Sequence, residues 1–384
     1  MTEKLYYTDS HLFKFEARVL SCVQEGDRWR VTLDRTAFFP EGGGQAADTG
    51  LIGDARVLDA KENGDIAVHL TTAPLEEGNV YACSVDEEQR MRRMQNHSGE
   101  HIVSGIAHGL FGCENVGFHM GAEFMTIDFD RELTEEQLVL IETRANETVR
   151  ANLEIKTFFP SPSELQTLEY RSKKELSGSV RIVEIPGIDR CACCAPHVKR
   201  TGEVGVIKIL DSMRHRGGIR ISLVCGMDAL DNFRLRQKNA SAVSELLSCP
   251  KNETASAVEK LMAEKERQHF KSAELSNEYV KLRAAFTPVT AGSVCLFDTV
   301  CEEPALRELV NLLVDKCSGI AAVFFPAEAG YRYIMGSRTV NLREKSREIN
   351  TAISGRGGGK PEMIQGSCTA SRETIEQYFA CNIT

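Results

Sequence analysis

Apolar residues along this chain change their spacing from segment to segment, and each spacing predicts a different kind of element. Over residues 1–88 the runs FEARVLSCVQ, DRWRVTLDRT and DIAVHLTT largely alternate apolar with polar positions, with Gly, Asp and Asn between them. A period of two predicts short half-buried strands, here a small β-barrel that must pack on the segment C-terminal to it. Between the runs, TAFFPEGGGQAADTG predicts a Gly-rich loop. Residues 89–112 predict a helix whose start suits Asp86, Glu87 and Glu88. After a strand near MTIDFD, LTEEQLVLIETRANETVRANL predicts an amphipathic helix. Thr134 and Gln137 can form its capping box, and Leu138, Ile141 and Ala145 share one stripe. EVGVIKIL and GIRISLVCG predict strands within a mixed segment, 153–230.

Beyond about residue 230 the pattern becomes helical, highly charged and free of internal Gly, with Pro250 between two long stretches. The apolar spacing is too irregular for a strict heptad, so a helical pair or a partner-binding segment is expected. From about residue 287, SVCLFDTV, ALRELVNLLVDKCS, IAAVFFPA and YRYIMG alternate strand with helix, and helices near 341–354 and at RETIEQYF close the chain. The expected division is 1–88, a barrel with a Gly-rich loop; 89–230, a metal-binding domain; 231–286, a helical segment; and 287–384, a small α/β domain. The fold class is α+β.

Composition narrows the setting. Of 384 residues, 42% are hydrophobic and 26% charged, as in ordinary globular chains. No apolar run approaches the roughly 18 residues that span a bilayer, and the N-terminus lacks an apolar signal core, so no membrane partner is expected. Thirteen cysteines, including Cys22, Cys225 and Cys295 in apolar surroundings, suit buried thiols in a reducing cytoplasm. The Asn-x-Ser/Thr triplets at Asn96, Asn146, Asn252 and Asn382 then carry no glycosylation meaning. A net charge of −9 argues against a general nucleic-acid coat. Arg90, Arg92 and Arg93, then Lys199 and Arg200, then Arg214, Arg216 and Arg220 form three local clusters, read either as solvated faces or as a basic face.

The candidate chemistry lies in two pairs of soft-metal ligands. His97 and His101 in NHSGEH, and Cys193 and His197 in CACCAPH, are each spaced i, i+4. On a helix that spacing puts both residues on one face. Neither pair fills a tetrahedral site, but together they supply a His3Cys set that suits Zn²⁺. Cys191 and Cys194 are alternative thiols. HSGEH also fits the inverted zinc-protease pattern H-x-x-E-H, in which Glu100 is general base and a downstream Glu completes the site. The run Gly42-Gly43-Gly44-Gln45 is not a P-loop, because no Lys-Ser/Thr follows. Bare backbone at the glycines allows close approach of a ligand, to which Gln45 offers an amide. GRGGGKPEMIQGS reads as a tight loop, or as a backbone nest of Gly357, Gly358 and Gly359 between Arg356 and Lys360, suited to phosphate or an RNA bend.

TAFFPEGGGQAADTG, NHSGEH, CCAPHVKRTGEVG and GRGGGKPEMIQGS, in that order, resemble the editing half and C-terminal domain of alanyl-tRNA synthetase. The barrel begins near residue 1, so no aminoacylation domain is expected upstream, and the chain resembles the freestanding alanyl-tRNA editing proteins of the long type. The resemblance covers essentially the whole chain and implies hydrolysis of Ser-tRNA(Ala), and of Gly-tRNA(Ala), to amino acid and tRNA. It implies Zn²⁺ on His97, His101, Cys193 and His197, and an editing pocket lined by Gly42–Gly44 and Gln45. It also implies a Thr36 that helps recognise the serine hydroxyl, tRNA contact by the C-terminal Gly-rich domain, and a homodimer formed through the preceding helices. One departure stands out. The family's usual Cys-Gly-Gly-Thr-His is here Cys193-Cys194-Ala195-Pro196-His197, which keeps the ligand spacing but removes a threonine that could touch substrate. Four protein ligands would also leave no open metal position, so the metal either expands its shell or organises the pocket while Gln45 and tRNA hydroxyls guide the water. The rival readings are a zinc metalloprotease using HSGEH and a non-catalytic tRNA-binding zinc protein.

Overall fold

A computed structural model describes residues 1–172 and 180–381, so the Asn382 triplet lies outside the described residues. The chain is mixed α+β, as expected, and divides into two compact units, Met1–Ala240 and Ser241–Thr384.

In the first unit six strands pair in a closed order: Lys14–Glu25, Arg28–Leu33, Ile66–Thr71, Ala55–Asn63, Gly50–Ile52 and Val80–Val85, which returns to the first. Alternation along the strands sends Val31 and Leu33, and Ala55 and Val57, inward to meet Ala17, Val19, Ile52 and Phe38. Helix α1, Glu87–Phe111, then starts at Asp86, whose carboxylate accepts from the Gln89 N–H, and stops at Gly112 in the left-handed conformation. From Asn96 to Ala107 this helix is buried on every side. A four-stranded antiparallel sheet lies beside it, in the order Ile207–His215, Gly218–Cys225, Met125–Phe129 and Asn115–Met120. Helix α2, Glu135–Ala151, carries the expected Thr134–Gln137 capping box and buries Leu138, Ile141 and Ala145 against the same core. A three-stranded sheet comes next, Lys156–Phe158, Ile182–Ile185 and Asp189–Ala192, with the short α3, Pro162–Thr167, in its first connection.

Close packing explains the small residues inside the first ligand motif. A Cβ on Gly99 would overlap the Cys225 sulfur, and one on Gly105 would stand 2.5 Å from the Ile188 carbonyl oxygen. The two glycines therefore let α1 sit hard against the strand ending at Cys225 and the turn before Asp189. Asn96 adds a polar lock: its side-chain oxygen accepts from Cys225 N–H at 2.9 Å, and its amide donates to Asp228 at 2.7 Å.

Helix α4, Gly226–Leu247, carries the chain into the second unit. There α5, Thr254–Phe286, and α6, Glu303–Leu313, share a core with Val294, Val323 and Ile334. Helices α7, Leu342–Ala352, and α8, Arg372–Cys381, share another with Ala322, Phe324 and Met335. Adjacent residues of one strand thus feed opposite cores. The sheet runs Val294–Phe297, Ala321–Pro326, Tyr331–Gly336, Met363–Cys368 and Gly355–Lys360, with its first pair parallel and the rest antiparallel.

Two expectations are corrected here. Arg356, Gly357, Gly358, Gly359 and Lys360 form the edge strand of this sheet, paired to Met363–Cys368, rather than a loop or nest. None of these glycines has positive φ. Gly357 is needed for space, because a Cβ there would overlap the Tyr333 hydroxyl, which donates to Asn350 at 2.7 Å. Glycine is counted as a loop signal because it lacks a side chain to pack, yet here that lack is what lets the ladder close over a tyrosine. Among the basic clusters, Lys199, Arg200, Arg214 and Arg216 are exposed, as a solvated face requires, but Arg90 is not. Arg90 is fully buried, with Nε donating to Asp48 at 2.8 Å. Arg92 pairs with Asp228 and Asp231, Lys199 with Asp9, Arg214 with Glu132, and Arg220 with Asp128. Sequence shows a run of cations but not the acids that folding brings to them.

Gly99→Ala should destabilise the protein by about 1–3 kcal/mol through overpacking, despite alanine's better helix propensity. Adding Cys225→Ala, which removes the overlapping sulfur, should recover most of the loss. Chemical denaturation checks both, and an equally stable single variant would show that the α1 contact is slack.

Candidate metal centre

His97, His101, Cys193 and His197 bring one nitrogen or sulfur each to within 4.8 Å of one another. Two residues come from successive turns of α1. The other two come from the loop that leaves the strand Asp189–Ala192. The i, i+4 spacing of Cys193 and His197 therefore works here without a helix. Cys193 Sγ lies 3.5 Å from His97 Nε2 and 3.4 Å from His197 Nε2. The ring centroids of His101 and His197 are 4.6 Å apart.

Every imidazole has its other nitrogen tied. His97 Nδ1 meets Gln45 Oε1 at 3.0 Å, His101 Nδ1 meets Asp189 Oδ2 at 2.9 Å, and His197 Nδ1 meets Ser98 Oγ at 3.0 Å. Asp189 is itself held by Arg171 at 2.8 Å, and Ser98 by the Val198 N–H at 3.2 Å. A partner on Nδ1 fixes ring orientation and favours the tautomer that leaves Nε2 free as a ligand, the usual outer shell of a metal-bound histidine. Donor set and anchoring together fit a metal ion bound by these four residues.

The local fields are strong. Burial alone would raise the Cys193 thiol, but the neighbouring His97, His101 and His197 hold it well below the ordinary thiol range, toward the thiolate a metal needs. Burial also opposes charge on His101, yet Glu100 and Asp189 raise it well above the ordinary imidazole value. His197 is pulled down to about 3, chiefly by burial, so it stays neutral. Cys191 is pushed up to about 11, first by burial, and is grouped with His101 and Asp189 rather than with the four-residue set. Cys194 is exposed, beside Gly42 and Gly43.

The other sequence candidates fall at different depths. Gly42 and Gln45 exchange backbone hydrogen bonds at 3.0 Å, closing the Gly-rich turn next to the metal loop. Gly44, at φ +84°, lies over Phe118, whose ring is 5.0 Å from His97. Gln45 Nε2 is buried with no hydrogen-bond partner among the described residues, so this turn presents one free donor beside His97. Glu100 is buried between the ligands. Its Oε1 accepts from Ser104 at 2.8 Å and from Asn115, and its Oε2 is 3.7 Å from His101 Nε2. The converging group contains no carboxylate, unlike the arrangement the inverted protease pattern requires. Thr36 is fully buried in a short strand, Arg35–Thr36, that pairs with Glu3–Lys4. Its hydroxyl meets His69 Nε2 at 2.9 Å and accepts from the Phe38 N–H at 3.1 Å. His69, drawn down to about 4 by burial, is neutral there. Asp189 and Ser98 were not legible as site residues. Ser98 stands inside NHSGEH, and Asp189 stands four positions before Cys193, but nothing local in the sequence marks either.

With this geometry in view, two parts of the chain match domains of the tRNA synthetases. Residues 180–222 match the threonyl and alanyl tRNA synthetase second additional domain, and residues 2–89 match the class II (A) tRNA synthetases. Its likeness to the alanyl-tRNA editing proteins, expected from four ordered motifs, holds across the chain. It is 26% identical to the alanyl-tRNA editing protein of Rattus norvegicus, over 96% of this chain and 94% of that one. It is also 29% identical to the alanine–tRNA ligase of Ignicoccus hospitalis over 98% of this chain, and 31% identical to that of Halobacterium salinarum over 95%. In both cases it covers 42% of the ligase, so the chain spans about two fifths of the length of these relatives.

Asp189→Asn should weaken metal binding about 10- to 100-fold, because His101 loses the carboxylate that sets its tautomer. Competition with a chromogenic chelator measures this, and an unchanged affinity would remove Asp189 from the outer shell.

Proposed function

We propose that this protein is an aminoacyl-tRNA ester hydrolase that clears mischarged Ser-tRNA(Ala), and Gly-tRNA(Ala), in the cytoplasm. The observation that carries this reading is the four-residue cluster with all three Nδ1 atoms anchored, set beside a Gly-rich turn that presents a free Gln45 amide. Similarity to an alanyl-tRNA editing protein over nearly the full length of both chains supports the choice of substrate. Free thiols at the twelve cysteines whose side chains are described suit a reducing compartment, and no described helix is long and apolar enough to cross a membrane.

Zn²⁺ suits the His3Cys donors, and when bound it would supply positive charge for polarising an ester carbonyl or lowering the pKa of a water. The chain's own residues do the positioning. His97 holds the Gln45 oxygen, which leaves the Gln45 Nε2–H free to donate to the substrate's aminoacyl end. Glu100, held by Ser104 and Asn115, is a fixed carboxylate beside His101 that can take a proton from an attacking water. Glycine at positions 42–44 lets backbone approach the ester closely. Thr36 acts on selectivity through its anchor. The Thr36–His69 contact fixes the backbone at Phe38, and Phe39 packs on Tyr6 and Ala195 beside Cys193. Arg356 to Lys360 form an exposed, glycine-rich edge with two cations, which suits backbone contact to tRNA. Four roles are assigned along the chain in this reading: barrel 1–88, metal-binding editing domain 89–230, helical segment 231–286 and tRNA-binding domain 287–384. Helix α5 buries only Val280 and Ala284 while exposing Leu261, Leu275, Leu282 and Phe286 along another side, a face that favours a homodimer.

Incubation with Ser-, Gly- and Ala-tRNA(Ala) should release serine and glycine, spare Ala-tRNA(Ala), and fail after chelation. Glu100→Gln should cut turnover about 100-fold or more. Thr36→Val should cost about 1–3 kcal/mol by unpairing His69 and the Phe38 N–H, and weaken serine-over-alanine discrimination. No release from any mischarged tRNA, with tRNA still bound, would leave a binding protein instead. Peptide cleavage would revive the protease. Light scattering should give twice the monomer mass, and a monomer at micromolar concentration would remove the dimer.

A further inference from the structure

We propose that Tyr7, Phe159 and Arg181 form a base-stacking subsite that takes the 3′-terminal adenine of the RNA, an inference that rests on the hydrolase reading above. Tyr7 ends a single 3₁₀ turn, Leu5–Tyr7, and its ring is half-buried. Three groups surround it. The Tyr6 ring meets it edge-on with centroids 4.7 Å apart, the Phe159 ring meets it at 5.6 Å, and the Arg181 guanidinium stands 5.3 Å from its centroid. Lys4 adds a second cation at 5.8 Å, itself paired with Glu62.

This assembly touches the metal loop directly. Arg181 Nη1 donates to the carbonyl oxygens of Cys193 at 3.0 Å and Ala195 at 2.9 Å, while Tyr7 packs against the cluster of Tyr6, Phe39 and Ala195. Two features are unexplained by folding alone. Phe159 keeps half of its surface exposed. Arg181 Nε is buried with no hydrogen-bond partner among the described residues. Exposed aromatic faces beside an arginine are how proteins hold unstacked bases, through ring stacking and guanidinium contact, whatever the base sequence. In an aminoacylated RNA end, a single ribose separates the ester from the terminal base. An ester at the His3Cys cluster therefore carries its adenine to an aromatic surface close by, and Tyr7 and Cys193 pack against the same small cluster. None of these groups needs a metal to act.

The test replaces the terminal adenine of uncharged tRNA(Ala) with 2-aminopurine, whose fluorescence is quenched on stacking. The wild-type protein should quench it, and Tyr7→Phe should match the wild type. Tyr7→Leu should lose the quench and raise KM for Ser-tRNA(Ala) about tenfold with kcat nearly kept, the scale of one lost base–aromatic stack. Phe159→Ser, at an exposed position that tolerates change, should give a smaller effect in the same direction. Quenching that persists in a folded Tyr7→Leu variant overturns the subsite even if hydrolysis is normal. Tyr7-dependent quenching by a wild-type protein that hydrolyses no aminoacyl-tRNA upholds the subsite and overturns the hydrolase reading.

Discussion

Three imidazoles can share one small volume only if each is held by the nitrogen that faces away from it, and much of the first unit is arranged to do that. Gln45 comes from the Gly-rich turn, Ser98 from α1 itself, and Asp189 from the strand that delivers Cys193. Without these partners, buried histidines next to a thiol would rotate, protonate or leave polar atoms unpaired, each at a cost of several kcal/mol in total. The anchors thus tie three separate elements to one point. They also divide labour: Nδ1 belongs to the fold and Nε2 to the chemistry.

Helix α1 makes this possible by being buried all round. A helix in that position cannot carry long side chains on every face, and the glycines and serines between and after its two histidines answer that constraint. Gly99 admits Cys225, Gly105 admits the turn before Asp189, and Ser104 holds Glu100. The ligand spacing and the packing are therefore one problem. Any residue that widens the gap between α1 and the strand ending at Cys225 also moves His97 and His101 away from Cys193.

The loop CACCAPH solves the matching problem without glycine. Cys194, Ala195 and Pro196 give a stiff link between the ligands, and Arg181 clamps it by two carbonyl oxygens. Rigidity here comes from a buried cation rather than from backbone freedom. The same clamp draws Tyr6 and Tyr7 to the edge of the metal loop, so the first turn of the chain and the second ligand pair become one surface. This link joins residues about 175 positions apart (Tyr7 and Arg181) and has no local signature.

How much was legible divides along the range of the forces involved. Strand alternation in 1–88, the helix ending at Phe111, the capping box at Thr134 and the strand–helix alternation after residue 287 were readable because each depends on neighbours within a few positions. The two ligand pairs were readable because i, i+4 spacing is itself short-range. Tertiary structure alone decided which thiol joins the cluster, because Cys191, Cys193 and Cys194 have the same local context and differ only in what the opposite wall presents. It alone engaged Thr36 with His69, turned Arg90 from a surface cation into a buried partner of Asp48, and made a glycine run into a sheet edge over Tyr333. Those outcomes rest on contacts between residues far apart in the chain, and burial and charge pairing, which set their energies, exist only once the chain has folded.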